Sequence, residues 1–159
     1  KNIDSYQEAF DLLFKSVVYT TSLVIPHMQK NKWGRIINVT SVSVKEPLNY
    51  LVLSNSIRSA VVAWAKSLSV DIGKDGITIN SILTGFFDTE RIKELNKEKS
   101  KSLNISESEV LENMKSLVPI NRLGKPEEYG YLVSFLSSDK ASYINGASIP
   151  IDGGLLKSY

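Results

Sequence analysis

Thr40, Ser41 and Ser43 place three hydroxyls directly after a short apolar run that contains Ile36, Ile37 and Val39. Ser54 and Arg58 lie four residues apart further on, so on a helix they share one face, a turn apart. A hydroxyl donates and accepts hydrogen bonds, whereas a guanidinium only donates and keeps its charge at every working pH. Arg58 can therefore hold a ribose or a developing oxyanion but cannot exchange a proton. Tyr50, four residues before Ser54, joins the same polar ridge if the first helical turn reaches that far. The ridge would then look toward Ser41. The hydroxyls after the apolar run equally suit an ordinary turn, and spacing alone favours that plainer reading.

The elements that must position these groups can be read from periodicity. Arg35 to Val39 is a β-branched run of the kind that forms a strand covered on both faces. Leu53, Ile57, Ala60, Val61, Trp64 and Leu68 recur at steps of three and four, the stripe of a packed helix from Leu53 to Asp71. Lys74-Asp75-Gly76 is a turn, and Ile77 to Leu83 a second strand, joined to the first by a crossover long enough for parallel pairing. Ligands of such open α/β sheets bind in the crevice outside the carboxyl ends of the strands, where Ser41 lies.

Upstream, Asp4 to Lys30 reads as a long helix with Asp4 and Gln7 as its capping box, an apolar stripe of Tyr6, Phe10, Leu13, Val17 and Val24, and a kink or loose last turn at Pro26. Val62 and Ala63 fall off the main stripe of the second long helix, so both helices carry apolar surface for a partner. Downstream, Glu90 to Lys101 is dense in charge of both signs, a solvated helix or mobile segment, and Ser106 with Glu109 caps a further helix. Pro126 opens the last helix, with Glu127 and Glu128 at its positive end and Leu132, Phe135 and Leu136 as its core face. Ser148 to Asp152 is a final strand whose Pro150 must face away from a neighbour.

Composition narrows the classes. A chain of 159 residues with 42% hydrophobic content can bury one core and reads as one domain, residues 1–159. The net charge of +2 and the lack of a basic cluster interleaved with aromatics argue against nucleic acid. There is no cysteine and one histidine, His27, so no disulfide, thiolate nucleophile or His-rich metal site is expected; the metal expectation is none. No apolar run approaches the roughly 18 residues of a membrane span, and no signal peptide opens the chain, so no membrane partner and a cytoplasmic setting are expected.

The blocks GRIINVTS, AKSLSVDIG, DGITINSILTGFFDT and ASYINGASIPIDGG, in that order, resemble the C-terminal part of a short-chain dehydrogenase/reductase, from about Tyr6 to the end. The resemblance implies the C-terminal portion of a Rossmann-like, doubly wound parallel sheet, an NAD or NADP cofactor, and interconversion of a small-molecule carbonyl and an alcohol, as in 3-oxoacyl reductases. Without gaps from Gly34 to Lys66, the family's active serine falls on Ser41, its tyrosine on Ser54, its lysine on Arg58, and its asparagine on Leu13. The run Leu53-Ser54-Asn55-Ser56-Ile57-Arg58 resembles an atypical branch. In the family, tyrosine moves a proton at the substrate oxygen, and lysine lowers its pKa and holds the ribose. A phenol titrates near 10 and can be tuned by a nearby cation, while the aliphatic hydroxyl of Ser54 is a much weaker acid. Tyr50 is the nearby phenol of the right chemistry to substitute, nine residues after Ser41 where the resemblance expects thirteen.

By the same resemblance the loop Thr84-Gly85-Phe86-Phe87-Asp88-Thr89 closes over the nicotinamide, with a backbone contact at Phe87 and a hydroxyl at Thr89. Thr84 and Gly85 stand where the family has proline-glycine. Thr89 reads equally as the N-cap of the next helix. Residues 86–120 resemble the substrate-binding lid, and helices 5–30 and 52–72 the usual interface of a homodimer or homotetramer, to which Leu155 and Leu156 would add contacts. No GxGxxG turn, ribose-binding acid or NNAG-like segment is present; a nucleotide half of roughly 80 to 100 residues is expected in a longer polypeptide. Three readings follow: an NAD(P)-dependent oxidoreductase, a cofactor-binding but catalytically silent or scaffolding relative, and an interaction module made of this half alone.

Overall fold

The computed structural model describes residues 2–49 and 51–158. The expected alternation of strand and helix is present. Helix α1 (Ile3–Phe10) runs through a π turn at Asp11–Lys15 into α2 (Ser16–Asn31). Strand β1 (Gly34–Val39), helix α3 (Val52–Ile72) and strand β2 (Ile77–Thr84) follow. Helices α4 (Glu90–Leu103), α5 (Glu107–Ser116) and α6 (Pro126–Leu136) lead to strand β3 (Ser148–Ile151).

The three strands are parallel, in the order β1-β2-β3. Gly34 pairs with Ile77 and Val39 with Ile82; Ser81 pairs with Ser148 and Thr84 with Ile151. Side chains alternate across a strand, so β2 sends Ile77 and Ile79 to one face and Ile82 to the other. The first face packs on Ala65 and Ile72 of α3, with Ile25 and Met28 of α2 against the same cluster. On the second, Leu136, Leu132, Val133 and Tyr129 of α6 cover Ile82. Ile77, Ile79, Ile82 and Leu83 are fully buried, each contributing about 1.5–3 kcal/mol. Helices on both faces of a parallel sheet make the doubly wound architecture.

Two amides, Asn80 buried and Asn145 half-buried, lock β2 to the approach of β3. Asn80 donates to the Ile144 carbonyl (2.8 Å) and accepts from the Ala147 N–H (3.0 Å). Asn145 accepts from the Ile79 N–H (3.0 Å) and donates to the Ser69 carbonyl (2.9 Å).

Several expectations change. The first helix is capped by Asn2, whose side chain accepts from the Ser5 N–H, and not by Asp4, because the chain turns helical earlier. Helix α2 continues through Pro26 to Asn31, and the irregularity sits upstream in the π turn. β1 is an edge strand among the described residues and is only half-buried along its middle, with Val39 59% exposed. On α6 the inward positions are Tyr129, Leu132, Val133 and Leu136, spaced i, i+3, i+4, i+7; Phe135 falls off that stripe and is exposed. Pro150 lies on the edge strand β3, as expected. The stretch Ile3–Asn31 is long and apolar enough by length and composition to cross a membrane, although it contains no long unbroken apolar run, and only 11% of its most apolar window is buried.

Candidate active site

At the end of β1 the chain is pinned to β2. The Thr40 N–H and hydroxyl both donate to the Ile82 carbonyl, each at 2.9 Å. Ser41 follows in extended backbone and caps a single 3-10 turn, Val42–Val44, its Oγ accepting from the Ser43 N–H at 3.1 Å. That turn role is the plain reading realised, yet it uses only the oxygen's lone pair and leaves the hydroxyl proton to donate. From α3, Arg58 reaches back so that Nη1 donates to the Val39 carbonyl at 3.2 Å. Ser41 and Arg58 are thereby brought to the same strand end. Ser54 sits half-buried one turn before Arg58 on α3. Tyr50 lies outside the described residues.

Leu13 lies half-buried in the π turn. There the Ser16 N–H bonds to the Asp11 carbonyl, five residues back, and the Ser16 hydroxyl satisfies the Leu12 carbonyl. Phe14 packs edge-on against Trp64 of α3, ring centroids 6.3 Å apart. Single π turns inside helices are frequent at functional sites. Leu13, at the middle of this one, is aliphatic and supplies no side-chain hydrogen bond.

The loop after β2 is held more tightly. The Gly85 N–H donates to the Ile151 carbonyl at 3.1 Å, and a Cβ on Gly85 would lie 2.6 Å from the Asp152 Cα. Glycine is needed here for the approach to β3. The Gly124 N–H donates to the Phe86 carbonyl, and the Asp88 N–H to the Gly124 carbonyl, both at 2.9 Å. The Phe87 ring is buried, edge-on to Tyr129 at 5.3 Å. Thr84 Oγ1 lies 3.1 Å from the Tyr129 hydroxyl. Thr89 caps α4 by accepting from the Ile92 N–H at 3.4 Å, so its N-cap role is realised and its own proton stays available.

Tyr129 was missing from the sequence-derived site; the signal was its place on the i, i+3, i+4, i+7 stripe of α6. Burial pushes its phenol up, opposed by the Thr84 hydrogen bond and by the charge of Arg58. Below it, Arg122 clasps Glu128 with two bonds of 2.7 and 2.6 Å, and the Lys125 N–H adds a third at 2.7 Å. Arg122 and then the Lys125 N–H draw the Glu128 carboxyl down to about 2. Among the described residues no cluster of three His, Cys, Asp or Glu side chains could hold a metal ion.

A hydroxyl and a guanidinium, donors of the kind that oxygen-bearing ligands accept from, thus stand at the end of β1, on the strand next to the one whose end carries the fixed loop. A family model described as enoyl-(acyl carrier protein) reductase matches residues 2–156. The chain is 34% identical over 131 residues to the NADPH-dependent reductase BacG of Bacillus subtilis, covering 82% of this chain and 51% of the relative. It is 29% identical over 159 residues to the 3-oxoacyl-[acyl-carrier-protein] reductase FabG of Pseudomonas aeruginosa, covering 98% of this chain and 58% of that protein. The crystal structure of YwfH, an NADPH-dependent reductase involved in bacilysin biosynthesis, superposes with a TM-score of 0.94 at 29% identity, covering all of this chain and 61% of that one. The chain thus spans about half the length of the curated relatives it matches. With the matched sequence and the parallel sheet in agreement, the chain belongs to the short-chain dehydrogenase/reductase family.

Proposed function

We propose that the polypeptide carrying this chain is an NAD(P)-dependent oxidoreductase that interconverts a carbonyl and an alcohol, with 3-oxoacyl compounds as the first substrate class to try. The observation that carries the reading is the convergence of the Ser41 hydroxyl and the Arg58 guanidinium on the end of β1. Fit to the cofactor can be judged from the donors present. Arg58 spends one N–H on Val39 and keeps others for ribose hydroxyls; Thr89 keeps a hydroxyl proton, and the Thr84–Phe87 backbone forms a preset wall for a carboxamide. These groups suit the nicotinamide end of NAD or NADP.

When bound, the cofactor supplies the hydride. Ser41 donates a hydrogen bond to the substrate oxygen and orients it. Arg58 holds the ribose and places a fixed positive charge near the oxygen where negative charge develops. Arg58 cannot release a proton, and Ser54 is a weak acid, so the site is atypical: the proton comes through the Ser54 hydroxyl from water, or from Tyr50. Residues 86–120, containing α4 and α5, act as the substrate lid, and residues 1–159 form the C-terminal part of one Rossmann-like domain. Exposed apolar side chains support a homodimer or homotetramer through helices 5–30 and 52–72: Leu12 is 72% exposed, Tyr19 65% and Val70 77%. A cytoplasmic setting fits a chain without cysteine.

The substitution of serine and arginine at the family's tyrosine and lysine positions favours a second reading, a cofactor-binding but silent subunit. The test is oxidation of NADPH and NADH by the full-length polypeptide against 3-oxoacyl thioesters, ketones and aldehydes. Turnover, with cofactor affinity falling roughly tenfold in Arg58→Met as a charged hydrogen bond is lost, supports the oxidoreductase. Saturable cofactor binding without turnover selects the silent subunit, and no binding overturns both.

A further inference from the structure

We propose that Tyr129 is a positioning residue for the cofactor-facing loop, one side chain holding both ends of the segment from Thr84 to Phe87. The proposal rests on the reading of that loop as the nicotinamide wall. Thr84 is the last residue of β2 and, alternating with Leu83, turns its side chain to the α6 face, the same side as Ile82. Its hydroxyl meets the Tyr129 hydroxyl at 3.1 Å. Three residues on, the Phe87 ring stands at 81° to the Tyr129 ring. Between these contacts lie only Gly85, which has no side chain to anchor it, and Phe86, whose carbonyl is tied to the Gly124 N–H. Tyr129 sits in the first turn of α6, whose start is fixed by the Glu128 capping bond and the Arg122 clasp. The anchor is therefore itself anchored.

The chemistry of position 84 explains the need. Proline, which the family resemblance expects at this position, would fix φ at the strand end without help. Threonine leaves that torsion free, and a side-chain hydrogen bond to a half-buried phenol restrains it from outside. Two hydroxyls share this one bond, so each is replaceable by an isostere that deletes only the bond: Tyr129→Phe keeps the ring on Phe87, and Thr84→Val keeps the branched shape.

The experiment is a double-mutant cycle of Tyr129→Phe and Thr84→Val in the full-length protein. It is read by NADPH affinity, by kcat at saturating cofactor, and by hydrogen exchange of the Gly85 and Asp88 amides. Each single variant is expected to weaken NADPH about fivefold, the usual worth of one hydrogen bond, and to speed exchange at both amides. The double variant should be no worse than either single, with kcat within about twofold. Additive losses or unchanged exchange would overturn the proposal, and so would a collapse of kcat at unchanged affinity, which would make the phenol a participant in the chemistry. Should the wild type bind no NADPH, the proposed function falls, and the exchange arm alone decides the latch.

Discussion

The carboxyl ends of β1 and β2 lie side by side in one parallel sheet, yet they are built to different standards. After β2, successive loop groups are tied: Gly85 to Ile151, Phe86 and Asp88 to Gly124, Thr84 to Tyr129, and the Phe87 ring is buried. In the last two residues of β1, Val39 is 59% exposed and the buried Asn38 Nδ2 has no partner among the described residues; a single 3-10 turn then follows Ser41. What fixes the far part of that loop is Glu46, whose Oε1 accepts the N–H groups of Lys157 and Ser158 at 2.7 and 2.8 Å. The wall proposed to face the cofactor is preorganised. The side proposed to face the substrate oxygen is pinned at Thr40, while Ser41 itself is tied only within its own 3-10 turn.

The largest effect should come from the end that carries Ser41. Ser41→Ala removes the hydroxyl proposed to orient the substrate oxygen, and loss of one such preorganised donor lowers kcat by about 100-fold or more. Cofactor affinity should stay within about twofold, because Ser41 is not among the proposed ribose or carboxamide contacts. Steady-state rates and a cofactor titration on the same preparations check both. Equal loss of rate and cofactor affinity would erase the distinction between the two ends.

At the well-held end a single methyl group is enough. A Cβ on Gly124 would stand 2.6 Å from Phe87 Cε1, and the ring cannot swing freely because it is buried against Tyr129. Overpacking of this kind costs about 1–3 kcal/mol, offset by up to about 1 kcal/mol from the smaller entropy of the unfolded chain. Gly124→Ala should therefore melt lower by several degrees and weaken cofactor binding together. A stable variant with normal cofactor affinity would show that the loop yields easily, and that the contrast between the ends is one of appearance.

The same contrast governs what the amino-acid sequence revealed. β2 was legible as Ile77 to Leu83, one residue short of its end, because complete burial writes a continuous apolar run. Helix α3 was legible because one face is apolar at regular steps. The strand-end position of Ser41 was also legible, and so was the shared helical face of Ser54 and Arg58, since both are local facts. Tyr129 was not: its meaning depends on Thr84, 45 residues earlier, and on which side of α6 meets the sheet. Choosing Phe135 over Tyr129 for that face was an error of phase, since size and hydrophobicity favour phenylalanine while helical angle favours tyrosine. Asn2 and Asp4 are both good caps, and only the backbone decides between them.

The smallest effect separates the two ends by acid. Glu128, at the base of α6, is drawn from 4.5 to about 2 by Arg122 and the Lys125 N–H. Glu46, in the loop after Ser41, is lowered by the N–H groups of Lys157 and Ser158. A carboxyl whose folded pKa is depressed stabilises the fold fully above its unfolded value and loses that contribution as pH falls through the folded value. For Glu128 that window runs from about 4.5 down to about 2. The wild-type melting temperature should therefore exceed that of Glu128→Gln by a small margin at pH 6, with the margin shrinking below about pH 4.5 and closing near pH 2. Glu46→Gln should show a margin of the same sign that also closes on acidification. Thermal melts from pH 2 to 6 measure both. A margin that does not change with pH would mean that packing at these positions, and not carboxylate charge, holds the two loops in place.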